Sequence, residues 1–334
     1  TGDQFLSQSG IGRNSDQTFY FDARLDWKRS FGDHNLTAMA MYMMREYRSD
    51  VLPNRNQGYS GRVTYDYASK YLVEFNFGYN GSERLAAGHR FEFFPAVSAG
   101  WVASSENFWE PISKYINHFK IRGSYGLVGS DAFASGAPHF LYQNNIGIGS
   151  AHNFWTGLPT SEISKKGPGF YVLAVQDAGW EHVKKFDIGF DMMLFNQLNI
   201  TFDYFHDKRE RILMSRASWP SMLGYWGSKP WSNIGEVENQ GFELSLNWTK
   251  QFGKDLTLDL RGNFTYNQNE YKYVDEPSYP YVWQTNTGKP LNTVKGYIAE
   301  GLFTSEEEIA NSPDQSQLGA NIMPGDIKYR DING

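Results

Sequence analysis

Residues 18–31 read TFYFDARLDWKRSF, a run in which apolar and charged side chains alternate. The apolar set is Phe19, Phe21, Ala23, Leu25 and Trp27, and the charged set is Asp22, Arg24, Asp26 and Lys28. Because successive side chains of a β-strand point to opposite faces, the run predicts a strand with one apolar and one charged face. Such a strand suits the wall of a transmembrane β-barrel, with its apolar face toward lipid and its charged face toward a wet lumen.

The same alternation recurs along the chain and predicts ten strands. Most of these runs are about twice the 5 to 6 residues that are common for strands in soluble proteins. This length favours a membrane-spanning barrel over a soluble antiparallel sheet that packs one face on its own core. The predicted strands are Thr18–Phe31, Asn35–Arg48, Tyr59–Tyr67, Tyr71–Asn80, Phe94–Ala103, Phe119–Val128, Val183–Phe195, Leu198–Arg211, Gln240–Lys250 and Leu256–Asn267.

The connections between these runs alternate between short and long. Short connections rich in Gly, Asn and Asp, typical of hairpins, lie at 32–34, 68–70, 196–197 and 251–255. Long connections lie at 49–58, 81–93, 129–182, 212–239 and 268–334. Outer-membrane barrels have short periplasmic turns and long extracellular loops, so we expect the two sets on opposite sides of a membrane. The connection 104–118 is an exception on the short side, and we expect it to form a short helix beneath the barrel.

Composition narrows the class of protein. The 334 residues carry a formal net charge of -6, which gives no general attraction to nucleic acid. The longest purely apolar run, Ala38–Met44, is far shorter than the roughly 20 residues of a membrane-spanning helix. Aromatic residues make up 16% of the chain, which suits the interfacial girdles of a barrel. No cysteine is present, which excludes disulfides and thiolate chemistry.

Several short motifs follow one another in a fixed order along the chain. They are GRVTYDY (61–67), KYL (70–72), NGS (80–82) with Arg84, FPAVSAGW (94–101), ENF (106–108), KIRGSYG (120–126), WSNIG (231–235), NQGFE (239–243), GLF (301–303) and PGDIKYRDING (324–334). This series resembles the SusC/RagA family of TonB-dependent transporters from the outer membranes of Bacteroidetes. Each motif alone is weak, but together and in order they are specific.

The resemblance implies a 22-stranded barrel with an N-terminal plug, gated by a SusD-like lipoprotein and powered through TonB. Residues 1–334 would then be all-β and would supply about ten strands of an antiparallel transmembrane barrel in the bacterial outer membrane. Because the chain begins at Thr1 without a start Met or a signal segment and stops at Gly334 inside a loop-like stretch, we expect the plug, the early strands and the final strands to lie elsewhere in a longer protein. The implied function is active import of a glycan or an oligopeptide. The alternatives are a soluble or surface-attached β-rich carbohydrate-binding or adhesin protein, and a passive porin.

Aromatic residues in the long connections are candidates for contact with the cargo. Aromatic faces stack on sugar rings or peptide side chains, but they also serve in loop packing and interfacial anchoring. Trp226 and Trp283 are the strongest candidates. The full set of candidate substrate-binding residues is Trp155, Trp219, Tyr225, Trp226, Trp231 and Trp283.

The sequence predicts no cofactor and no enzyme activity. Asp331 and Asn333, with Asp326 upstream, begin like a calcium loop, although a plain Asx turn accounts for them as well. Catalytic signatures such as G-x-S-x-G, H-E-x-x-H and the phosphate loop do not occur. The ionisable residues that could suggest chemistry mostly fall on polar strand faces or in loops, where we expect solvated lumen and loop charges. They are His182, His206, Asp187, Asp191, Asp203, Asp207, Lys165, Lys166, Lys184 and Lys185.

Overall fold

The computed structural model describes residues 15–49, 53–133, 136–148, 153–156, 163–220, 222, 229–319 and 321–332. The chain divides into two compact units, Thr1–Leu291 and Asn292–Gly334, and each is described by itself. Among the described residues, no helix is long and apolar enough to cross a membrane.

The first unit is built on one ten-stranded sheet in which neighbouring strands are antiparallel and follow chain order. All ten predicted strands are present, which confirms the all-β prediction. The strands of this unit are β1 (Gln17–Phe31), β2 (His34–Arg48), β3 (Asn54–Tyr67), β4 (Tyr71–Ser82), β5 (Phe91–Val102), β6 (Ile116–Ser130), β7 (Asn145–Gly147), β8 (Asn153–Thr156), β9 (Ile163–Lys166), β10 (Gly169–Val172), β11 (Glu181–Leu194), β12 (Leu198–Ser215), β13 (Trp231–Phe252) and β14 (Leu256–Tyr273). The large sheet has the order β1 to β6 followed by β11 to β14, while β7 pairs with β10 and β8 with β9.

The pairing register places apolar residues opposite apolar residues on one face of the large sheet. Residues that pair directly across two strands point to the same face. One such row runs across four strands from Ile188 through Tyr204 and Phe242 to Tyr266. We call this the outer face. The inner face carries the predicted charged set of β1, as in the pair Asp22 and Met43, so the predicted separation of apolar and charged faces holds in the structure.

Short turns lie at one end of the sheet and long connections at the other, because each strand reverses the direction of the last. The tight turns use left-handed backbone, with φ of 60° at Gly32, 52° at Ala68, 54° at Asn196 and 68° at Gly253. The longer connection after β5 contains 3-10 helices at Ala103–Ser105 and Asn107–Ile112. This confirms the short helix predicted within 104–118.

Several long connections are shorter than predicted. Strand β13 begins at Trp231 rather than Gln240, and β12 continues to Ser215, so the connection between them spans 216–230. Strand β14 continues to Tyr273, and the connection 129–182 contains β7 to β10. The prediction ended β12 and β14 too early and began β13 too late because register shifts after Arg209 and between Glu236 and Val237 interrupt the period of two there.

The second unit contains β15 (Ala299–Leu302), α1 (Glu306–Ala310) and β16 (Ile327–Tyr329). Strands β15 and β16 pair antiparallel. Ser305 caps the helix, with its Oγ accepting a hydrogen bond from the backbone N–H of Glu308 at 3.2 Å. Phe303 is buried at 2% exposure, and its backbone N–H donates a hydrogen bond to the carbonyl oxygen of Asp326 at 2.9 Å.

Candidate functional site

The outer face carries aromatic residues at both ends of its apolar band. Toward the long-loop end, the rings of Tyr42 and Tyr59 lie 5.0 Å apart, and Tyr59 pairs with Tyr79. Toward the short-turn end, the rings of Tyr67 and Tyr71 lie 6.3 Å apart. Tyr59 and Tyr67 are eight positions apart on β3, or about 26 Å at roughly 3.3 Å per residue. That spacing fits the ~25 Å apolar band between the aromatic girdles of outer-membrane barrels.

Arg122 organises the charged side chains of the inner face. Its guanidinium lies 2.7 Å from Asp203, 3.2 Å from Asp191 and 3.6 Å from Asp187. Arg122 pairs across the strands with Gly189, where an added Cβ would lie 2.2 Å from Asp203 Oδ1. The missing side chain at Gly189 therefore leaves room for Asp203 to reach Arg122 from the next strand.

The inner face is polar on either side of this cluster. Arg62 pairs with Glu74, and Glu74 also accepts a hydrogen bond from Asn76 at 2.6 Å. A concave surface of about 420 Å³ lies along this stretch, lined by Glu74, Ser98, Arg122 and Asp187 among others. Glu74 forms an ion pair with Arg62, and Asp187 forms one with Arg122, as counter-charges do in a wet lumen.

The outer face also carries charges, which corrects one expectation. Lys184 does not face the lumen with Lys185. It forms a 2.6 Å ion pair with Glu210 on the outer face, while Lys185 lies 3.7 Å from Asp207 on the inner face. His206 likewise lies on the outer face, 2.6 Å from Glu238. The physical reason is the strict alternation of a strand, which puts adjacent residues on opposite faces.

The long connections pack together into a buried core that we call the loop block. Its fully buried side chains are Leu85, Leu141 and Leu213, joined by Phe94, Ala178 and Trp180. Trp180 Nε1 donates a hydrogen bond to the carbonyl oxygen of Arg90 at 3.0 Å. Asn233 Nδ2 donates to the carbonyl oxygens of Gly179 and Arg211. Connections that are far apart in sequence are thereby held at one end of the sheet.

A buried carboxylate braces two further connections. Asp275, 6% exposed, accepts hydrogen bonds from the backbone N–H and the hydroxyl of Ser218 at 2.9 and 2.8 Å. Arg216 lies 3.4 Å from the same carboxylate. Burial raises the pKa of Asp275, but the Ser218 hydrogen bonds and the Arg216 charge outweigh it and hold the pKa below its usual value. An ionised Asp275 thus ties the segment after β12 to the segment after β14.

The predicted aromatic residues have different surroundings. Trp231 is not in a loop: it begins β13 and packs, partly buried, against the loop block. Trp283 lies in a 3-10 helix, Val282–Gln284, where its ring stacks on Tyr281 with centroids 4.4 Å apart and remains 44% exposed. Trp219 follows β12, and its backbone N–H donates to the Arg216 carbonyl at 3.2 Å.

The side chains of three candidates lie outside the described part of the structure. Trp155 belongs to β8, where its backbone pairs with Ser164, and its side chain lies outside the described part of the structure. Tyr225 and Trp226 lie outside the described residues altogether. The sequence analysis assigned no role to Arg122, and it did not predict the stack of Tyr281 on Trp283.

The calcium prediction names two residues at the end of the chain. Asp331 is described, whereas Asn333 is not. Within the described ranges, no group of three His, Cys, Asp or Glu side chains is arranged to hold a metal ion.

Comparison with known proteins identifies the family. Residues 1–316 match the family model described as TonB dependent receptor-like, beta-barrel. The chain is 28% identical to TonB-dependent receptor P3 of Formosa agariphila in an alignment that covers 98% of the chain and 36% of that protein. It is 27% identical over 239 residues to TonB-dependent receptor SusC of Bacteroides thetaiotaomicron, covering 68% of the chain and 22% of SusC.

A solved structure shares the fold. The RagAB peptide importer in its closed-closed state superimposes with a TM-score of 0.67 at 18% identity, covering 94% of this chain and 36% of that one. The chain therefore spans little more than a third, at most, of these relatives. The match over nearly its whole length, together with a two-faced antiparallel wall, shows that the chain belongs to the TonB-dependent receptor-like β-barrel family of the bacterial outer membrane.

Proposed function

We propose that this chain is part of the wall of a TonB-dependent transporter that imports a glycan or an oligopeptide with a SusD-like lipoprotein partner. The observation that carries the proposal is the two-faced sheet, apolar outside and charged inside, with its long connections packed at one end. The family match over residues 1–316 supports the same interpretation.

Each part of the wall has a role in this function. The outer band holds the barrel in lipid, and the inner face presents paired charges to a hydrated passage and to the plug that the family resemblance implies. The loop block lies at the end expected to face the exterior, where cargo and the lipoprotein partner would arrive. The charged groups serve as counter-ions, so the proposal includes no covalent chemistry on the cargo.

The proposal includes two cargo classes, oligopeptides and glycans. The RagAB relative is a peptide importer, which brings oligopeptides into the proposal. The exposed, stacked pair Tyr281 and Trp283 suits the apolar face of a sugar ring as well as a peptide side chain.

Gene deletion in the native bacterium tests the transport proposal. The strain without the full-length gene should lose growth on one defined class, glycans or peptides, and regain it on complementation. Inactivation of TonB should produce the same loss, and the full-length protein should co-purify with a SusD-like lipoprotein. Normal uptake of both cargo classes in the deletion strain would contradict the proposal.

Loss of aromatic contacts tests the cargo residues. Replacing Trp226 and Trp283 together with Ala should weaken cargo binding, with each stacking contact worth on the order of 1 kcal/mol. Tyr115→Ala is the matched control, because Tyr115 is an exposed aromatic residue (58%) at the opposite, short-turn end of the wall. Equal affinity of the double variant and the control for the imported cargo would assign both Trp residues to packing.

A further inference from the structure

The connection that follows β14 closes on itself at the long-loop end of the sheet. The backbone N–H of Gly288 donates to the carbonyl oxygen of Tyr271 at 2.7 Å, and the N–H of Tyr271 donates to the carbonyl oxygen of Lys289 at 3.0 Å. The end of β14 therefore holds both ends of the loop together. We call residues 276–289 of this loop the aromatic platform, because the stacked rings of Tyr281 and Trp283 lie on it.

Two charged side chains fix the shape of the aromatic platform from within. The Glu276 carboxylate accepts hydrogen bonds from the backbone N–H groups of Asn286 at 2.7 Å and Thr287 at 3.1 Å. Lys289 Nζ donates to the carbonyl oxygen of Trp283 at 2.7 Å. The backbone that carries Trp283 is thus held in place without a ligand, so little further ordering is needed when a ligand binds.

The stack leaves one face of an indole ring open. The rings of Tyr281 and Trp283 lie with their centroids 4.4 Å apart and their planes within 11° of each other. Tyr281 therefore covers one face of Trp283, and the 44% of Trp283 that stays exposed belongs to its other face and its edges. The result is a flat apolar surface, supported from behind, at the end of the sheet where the long connections lie.

The backbone of the aromatic platform is poorly suited to binding an extended peptide. Peptides that bind in extended form pair their main chain with an open strand edge. Here Val282–Gln284 is a 3-10 helix. The carbonyl oxygens around the rings already accept hydrogen bonds: that of Tyr281 from Gln284 N–H, and that of Val282 from Thr285 and from Lys289 Nζ. The open ring face is the feature that remains for recognition.

The charges of the aromatic platform favour a neutral ligand. Glu276 and Lys289 are the only acidic and basic residues within 276–289, and both bond to the backbone of the loop itself. A pyranose ring carries no charge, and its C–H groups form an apolar face that packs flat on an aromatic ring, while its hydroxyl groups point outward from its rim. The flat open face of Trp283 matches such a ring better than it matches a charged peptide.

We propose, on the basis of the import function proposed above, that the aromatic platform is a saccharide-binding subsite. Trp283 stacks on one pyranose ring of a neutral glycan, and Tyr281 supports the indole from the opposite face. Asp275 lies directly before the platform and accepts hydrogen bonds from Ser218, so the platform is anchored to the segment after β12. Both segments lie at the end of the wall where cargo would arrive.

Substitutions that separate an aromatic face from simple apolar bulk test the subsite. The full-length transporter, in a detergent without a sugar headgroup such as lauryldimethylamine oxide, is screened against an array of neutral oligosaccharides and a panel of oligopeptides. Calorimetry with the tightest-binding oligosaccharide then compares the variants. Trp283→Phe keeps a ring and should stay within about twofold of the parent Kd, whereas Trp283→Leu and Trp283→Ala should raise the Kd about fivefold. Tyr115→Ala, at the opposite end of the wall, should leave the Kd unchanged.

Equal Kd values for Trp283→Leu and Trp283→Phe would overturn the subsite, because apolar bulk would then be sufficient. So would failure of the unmodified transporter to bind any oligosaccharide on the array. Binding of oligopeptides alone would refute the saccharide subsite and leave the import function standing. Conversely, normal growth of the deletion strain on both cargo classes would contradict import, while glycan binding by the purified protein would still support the subsite.

Discussion

At the scale of single residues, position on one or the other face decides what each side chain does. Arg122 and Ile121 are adjacent on β6, yet Arg122 holds three carboxylates on the inner face while Ile121 is part of the apolar band. The acidic residues Asp187, Asp191 and Asp203 resemble catalytic material in the sequence. In the structure they neutralise Arg122, and the family is one of receptors rather than enzymes.

An arginine on the outer face should cost far more than one on the inner face. Val63 lies midway between Tyr59 and Tyr67 on β3, and its outward side chain is 43% exposed. Val63→Arg should lower the free energy of unfolding in lipid vesicles by about 2 to 4 kcal/mol. The control Thr64→Arg points inward, directly opposite Glu74, and should be tolerated. Denaturant titration of both full-length variants checks the difference, and equal costs would refute the assignment of faces.

The Glu308 carboxylate should make the second unit sensitive to acid. The backbone N–H and the hydroxyl of Thr304 donate to it, and Lys328 lies 3.2 Å away, which together lower its pKa from 4.5 to about 2. Because the folded pKa is depressed, its stabilising effect is complete above pH 4.5 and is lost as the pH falls toward 2. The protection of the Thr304 amide from hydrogen exchange, measured relative to the intrinsic rate at each pH, should fall over that range. In Glu308→Gln this protection should already be reduced at neutral pH, and an unchanged profile would disprove the contact.

At the scale of secondary-structure elements, β12 and β13 have 18 and 22 residues, more than the about 9 to 11 residues that a membrane crossing needs. Strands β12 and β13 run on past the apolar band because cross-strand ion pairs replace apolar pairs there. The backbones of β13 and β14 also lie so close together at Gly241 that a larger residue would not fit there. An added Cβ at Gly241 would lie 2.1 Å from the carbonyl oxygen of Tyr266 and 2.9 Å from the Cα of Asn267.

Gly241→Ala should therefore disturb the pairing of β13 with β14. Backbone atoms cannot yield without a change of register, and overpacking of this kind costs about 1 to 3 kcal/mol. Gly262→Ala on β14 is the matched control, because a Cβ added at Gly262 would meet no heavy atom of another residue within 4 Å beyond its chain neighbours. The midpoint of urea unfolding should fall for Gly241→Ala and stay near the parent value for Gly262→Ala. A similar fall in both variants would point to backbone flexibility instead of contact.

At the scale of the whole molecule, the large sheet is an open wall. Strands β1 and β14 stand at the two ends of the strand order, and within the described ranges each pairs in this sheet on one side only. Hydrocarbon cannot satisfy an unpaired row of backbone donors and acceptors, and in water such a row promotes aggregation. A closed barrel needs further strands between these two edges.

The 334 residues expressed alone should not form a closed pore. Refolding in detergent should give aggregates or oligomers, while the full-length protein under the same conditions gives a monodisperse, heat-resistant species. Size-exclusion chromatography and conductance across planar bilayers measure the two properties. A monomer of this chain that conducts ions would show that its edges can close on each other.

The sequence by itself determined the ten strands, the two faces and the turn positions. Each depends on neighbours a few residues apart: a period of two along a strand, and Gly, Asn or Asp at a hairpin turn. Only the tertiary structure decided where β12 ends and β13 begins, that Trp231 packs against the loop block, and which carboxylates Arg122 binds. Those features depend on partners tens of residues away in the chain, which strand pairing brings together and which local alternation does not specify.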